Sequence, residues 1–188
     1  MKLRPGSFYF ALACLVCWTV AAQAQIQFDR PKTEPPLQNP YTITMPRDQI
    51  IKAIGEVLKT CAIPMNDETS KLAEGKFVTK YYVFTKGVTA RNDLAHLSNL
   101  PTSDVRSWTQ GRYYLEIIAL PLDEKRSQLQ IVTHIQGQIA DVIGNKWIDT
   151  PSNGTLEDEV LRGLSGKILG LDLGIKKGAA RRLFSCEY

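Results

Sequence analysis

Aromatic rings interleaved with guanidinium groups can stack a planar ligand or clamp a partner. The run VRSWTQGRYYLEII at 105–118 sets Trp108, Tyr113 and Tyr114 beside Arg106 and Arg112. Read as a binding feature, it is an aromatic platform with cationic edges. Read as structure, it leads into a strand, and strand alternation then sends Tyr113 and Tyr114 to opposite faces, so the two cannot share one stacking surface. The structural reading is favoured for the run as a whole. Arg106, Trp108, Arg112, Tyr114 and His96 remain the candidates for a ligand or partner surface.

Catalysis finds little support. Nucleophilic chemistry wants a serine or cysteine beside a histidine base, and the chain has two histidines, His96 and His134. No G-x-S-x-G, H-E-x-x-H or glycine-rich phosphate loop occurs. His134 falls on the more polar face of a strand pattern, where an exposed or hydrogen-bonded histidine is the ordinary reading. His96 lies in a long connection at 88–111, and a hydrolase built on it is the weakest of three functional readings. Glu157, Asp158 and Glu159 open a helix pattern, where the dipole favours acidic side chains. The expectation is a non-enzyme with no cofactor.

The N-terminus bears on where the protein works. Lys2 and Arg4 precede the apolar run FYFALACLVCWTV, and Ala22-Gln23-Ala24 has the small-x-small pattern of a cleavage site. A signal peptide at 1–24 is therefore expected, its apolar run shorter than the roughly 20 residues that span a bilayer. Cys14 follows Ala-Leu-Ala, a partial lipidation match with Ala11 where leucine is wanted. Export to the periplasm or the outer membrane, or secretion, follows from this reading. No transmembrane helix is expected after cleavage, and peripheral membrane contact stays compatible with it.

Removing 1–24 takes two of the 23 basic residues and none of the 19 acidic ones, leaving 21 against 19, or +2. An excess that small argues against a nucleic-acid binder, which carries a basic face or stripe. Cys14 and Cys17 leave as well, so Cys61 and Cys186 remain. In an oxidising compartment the pair can form a disulfide or stay as separate thiols, and sequence alone leaves both open. Two cysteines and two histidines, widely scattered, show no metal-ligand spacing. Asn153-Gly154-Thr155 matches a glycosylation acceptor and serves equally as a helix start.

The elements that must position these residues follow from periodicity. RPKTEPPLQNPY within 25–45 reads as a proline-rich arm or linker. A helix follows at 45–61, with Ile50, Ile51, Ile54, Val57, Leu58 and Cys61 on one face. A strand is expected at 75–87, with Phe77, Thr79, Tyr81, Val83 and Thr85 on one side. RYYLEIIALPL and SQLQIVTHIQGQI alternate across DEKR and make an antiparallel hairpin. A closing helix starts near Ser152 or Asn153, with Thr155 and Asp158 spaced as a capping box. The result is an α+β two-layer sandwich: an antiparallel sheet of three or more strands under two amphipathic helices. The domain is placed at 46–170 and a basic, peripheral tail at 171–188.

The order of leader, proline-rich arm, helix, antiparallel strands and closing helix resembles the domains of BamC, a lipoprotein accessory to outer-membrane barrel assembly. The short strings at 82–84 (YVF), 108–113 (W-T-x-G-R-Y) and 152–157 (SNGTLE) resemble small bacterial secreted proteins. The chain departs from BamC in its poor lipobox and in having one domain. The resemblance implies a non-catalytic module of the cell envelope with an envelope protein partner, and it brings no catalytic residues. The alternative is a periplasmic binding protein that holds a small apolar or glycan ligand between sheet and helix, lined by Tyr81, Tyr82, Tyr114 and Trp108.

Overall fold

In the computed structural model the described residues are 35–101, 103, 106–142, 144–171, 173, 183, 184 and 186. The expected signal peptide, Cys14 and the first part of the arm lie outside them. The described residues from Pro36 onward form one compact unit.

Six strands and three α-helices make an α+β sandwich, among the described residues. The strands are β1 (Tyr41–Ile43), β2 (Lys76–Val78), β3 (Tyr82–Lys86), β4 (Trp108–Pro121), β5 (Ser127–Asp141) and β6 (Gly144–Thr150). The helices are α1 (Arg47–Thr60), α2 (Ala90–Leu97) and α3 (Thr155–Leu169). The backbone of the fold is the long β4–β5 hairpin, paired from Trp108↔Ile139 to Pro121↔Ser127. Its turn is tied by Asp123, whose Oδ1 accepts from the amides of Lys125 and Arg126 and whose Oδ2 meets Arg126 Nε at 2.6 Å. β2 and β3 share the outer edge of β4, and β1 and β6 share that of β5; every pairing is antiparallel.

Alternation decides the two faces. Tyr113, Leu115, Ile117 and Ala119 of β4, with Leu129, Ile131 and Ile135 of β5, are buried against Ile50, Ile54, Val57, Leu94, Leu97, Leu156, Val160 and Leu164 of the helices. All three helices therefore cover one side, and no described helix lies on the other.

Several expectations need correction. The single strand at 75–87 is two strands, broken at 79–81. There Thr79 Oγ1 accepts from the Leu115 amide in place of a backbone carbonyl. The break turns the face over by one residue, so Tyr82 packs on Tyr113 in the core while Tyr81 goes outward. The long connection at 88–111, where a functional loop or a short helix is expected, holds α2, with Ala90, Leu94 and Leu97 buried. The arm enters the sheet as β1, with Ile43 buried and the Asn39 amide bridging the N–H and C=O of Ile131.

Of the tail, the described Leu183 and Phe184 are not peripheral: they are 9% and 4% exposed and belong to the core. Cys186 is bridged to Cys61, their Cα atoms 4.9 Å apart, which ties the end of the chain to the end of α1. At the start of α3 no capping box forms. Asn153 Oδ1 accepts from the Thr155 amide, while Asp158 bonds the Leu37 amide and Arg162. Glu157 bonds Thr133 and Ser152, so these acids are cross-links as well as dipole charges.

Candidate recognition face

The helix-free side of the sheet carries a continuous row of aromatic and charged side chains. Arg112, Tyr114 and Glu116 project outward from β4, and His134 and Gln136 project from β5, each directly across from its partner in the register. Tyr81 comes from the break before β3 and Trp147 from β6.

At one end the Arg112 guanidinium lies between two rings, 4.0 Å from the Tyr81 centroid and 3.9 Å from that of Trp147. Its Nε and Nη2 both donate to Gln136 Oε1, at 2.9 and 2.7 Å, and Gln136 Nε2 donates to Asp149 Oδ1 at 2.7 Å. Arginine suits this position because its flat cation stacks and hydrogen-bonds at the same time. In the middle, Tyr81 meets Tyr114 edge to face at 5.1 Å, and Tyr114 stacks on His134 at 4.3 Å with planes 5° apart. At the far end His134 Nε2 lies 3.4 Å from Glu116 Oε1 without making a hydrogen bond, and Glu116 Oε2 pairs with Lys76 Nζ at 2.8 Å. Burial, reinforced by the Glu116 charge, raises the Tyr114 phenol above the ordinary tyrosine value, so it stays protonated and able to donate.

Beside Tyr81 and Tyr114 the face deepens into a cleft of about 920 Å³, walled by Asn66, Asp67, Glu68 and Thr69 and floored by Lys76, Val78 and Glu116. The wall is sewn to β2. Asn66 N donates to Val78 O at 2.8 Å, Lys80 N to Pro64 O at 2.8 Å, and Ser70 Oγ accepts from the Val78 amide at 3.0 Å.

The candidates read from sequence divide. Arg112 and Tyr114 meet on this face through Tyr81. Trp108 does not join them: it is 6% exposed in the core, seated on Gly137, where a Cβ would come within 2.2 Å of its ring. Only glycine at 137 leaves room for the indole. Arg106 is exposed, with its guanidinium 4.8 Å from the Trp108 centroid. His96 is an exposed residue of α2, on the helical side of the molecule. Tyr82 and Trp108 thus lie on the core side and Tyr81 and Tyr114 on the other, so these four cannot line a single pocket between sheet and helix. Among the described residues no cluster of His, Cys, Asp and Glu is placed to hold a metal, and no helix is long and apolar enough to cross a membrane.

Sequence reasoning missed Trp147 and Gln136 as partners of Arg112. Trp147 sits in β6, whose first residues Gly144 and Asn145 pair with Asp141 and Ala140 of β5 and carry no apolar alternation that would mark a strand. No protein-family model, curated protein or solved structure matches this chain.

Proposed function

We propose that this chain is an exported, non-catalytic interaction module of a bacterial cell envelope, docking a protein partner through the helix-free face of its sheet. The observation that carries the reading is Arg112, held between Tyr81 and Trp147 on a face that no described helix covers. Arginine and large aromatics dominate binding energy at protein interfaces, and side chains already fixed lose less entropy on docking. The leader-like N-terminus supports export, and the resemblance to BamC supports a role as an accessory to outer-membrane assembly. Neither nucleic acid nor a cofactor enters this reading. The test is photocrosslinking from Val83, an exposed residue paired with Arg112 across the strands, in cells of the native host. A reproducible adduct to one envelope protein, lost with Arg112→Ala, supports the reading; adducts that persist in the variant count against it.

A further inference from the structure

The cleft beside Tyr81 and Tyr114 has a chemistry of its own, beyond the protein-docking reading of the Arg112 end. We infer that it is a binding site for an uncharged oligosaccharide, with the sugar's C–H face on Tyr81 and its hydroxyls on the polar wall at 66–69.

Volume comes first. At about 920 Å³ the cleft lies within the range of about 300–1,000 Å³ typical of small-molecule sites. It is also preformed, because the wall segment is bonded to Val78 of β2 at Asn66 and Ser70 and to Lys80 at Pro64. Charge then narrows the ligand. Lys76 is paired with Glu116 at 2.8 Å, leaving Asp67, Glu68 and Lys80 as the other charged residues of the lining. Such a mixture makes no single-sign field, which a phosphate, a nucleic acid or a strongly charged peptide would require.

The backbone excludes another class. A peptide adding itself as a strand needs a free sheet edge. The outer edge of β2 is occupied by the 64–71 segment through the Asn66–Val78 and Lys71–Lys76 bonds, and just past it Lys80 bonds Pro64.

What remains is a ligand that is amphipathic at the scale of a single ring and able to donate and accept hydrogen bonds along one edge. A pyranose has both properties. Tyr81, 45% exposed and backed by Arg112 on one side, offers a ring surface that need not be ordered on binding. The protonated Tyr114 phenol adds a donor, and the Asp67 and Glu68 carboxylates add acceptors.

The experiment is calorimetric titration of the full chain with three neutral probes: chitotetraose, cellotetraose and maltotetraose. Saturable binding of at least one, with Kd of about 1 mM or tighter, is expected, and Tyr81→Ala should weaken it by about tenfold or more. The exposed pair Glu68→Ala and Lys80→Ala should do the same with folding intact by circular dichroism, while Val88→Ser, outside the cleft, leaves it unchanged. Silence with all three probes, or binding indifferent to the cleft variants, overturns the inference. The crosslink from Val83 is read in the Glu68→Ala/Lys80→Ala protein as well, so failure of the sugar site and failure of the docking face can be told apart.

Discussion

Arg112 and Gln136 face each other across the central hairpin, and both guanidinium donors converge on one amide oxygen at 2.9 and 2.7 Å. With Tyr81 and Trp147 on its two faces and Gln136 at its edge, the cation is held on three sides, and among the described residues no carboxylate pairs with it. Replacing Arg112 by lysine keeps the charge and loses the planar fork and the stacking. A stability loss of about 1–2 kcal/mol is expected from the two ring contacts and the hydrogen bonds. Urea unfolding of Arg112→Lys checks it, and an unchanged midpoint would mean the sandwich contributes nothing.

Gly137 is the seat of Trp108. A methyl group there would press on the indole and on Leu94, with ring atoms at 2.2 and 2.4 Å. Gly137→Ala is expected to cost about 1–3 kcal/mol by overpacking and to alter the near-ultraviolet signal of the buried tryptophan. A variant with wild-type stability and spectrum would show that the core accommodates the methyl freely.

The Cys61–Cys186 bridge links residues 125 apart and anchors the segment that buries Leu183 and Phe184. Constraint of so long a loop predicts a loss of about 2–5 kcal/mol when it is opened. Cys61→Ser and Cys186→Ser should each show this loss, and reductant should bring the native protein down to the same level. Equal stability with and without reductant would argue that the bridge does not constrain the unfolded chain.

Tyr114 gives a dependence on alkaline pH. Its folded pKa is raised, first by burial and then by Glu116, so the folded state holds the phenolic proton more tightly than the unfolded chain does. That contribution is complete below the unfolded tyrosine value of about 10 and is lost as pH rises through the folded value. Stability measured from about pH 8 to 11 should fall less steeply in Tyr114→Phe than in the native protein. Parallel curves would remove Tyr114 as the source.

How much of this could be read from sequence follows from where the signal is local. The β4–β5 hairpin pairs without interruption from Gln110 to Pro121 and is bounded by polar turn residues, so its faces and its turn are legible. α1 was equally plain, because Ile50, Ile54, Val57 and Leu58 repeat at helical spacing. The strand at 75–87 is legible, but Tyr81 and Val83 turn away from Phe77 and Thr79, while a second irregularity between Val83 and Thr85 leaves Thr85 buried again. An irregular residue inverts the side chains that follow it up to the next irregularity, and nothing local announces that Thr79 Oγ1 will replace a backbone acceptor. α2, β1 and β6 are short and draw their order from tertiary contacts. The candidate face shows the same division. Arg112 and Tyr114 stood out by type, but their companions Tyr81, Trp147 and Gln136 arrive from three other segments that only the sheet register brings together. Trp108 looked like a surface aromatic because the glycine that seats it lies 29 residues away, on the neighbouring strand.

The most direct measurement is photocrosslinking from Val83 in the native host, run in parallel for the native chain, Arg112→Ala and the remote Val88→Ser. One envelope protein captured by the native chain and by Val88→Ser, and lost with Arg112→Ala, is the expected result. Capture of nothing, or of the same protein by all three chains, would contradict docking through the Arg112 face.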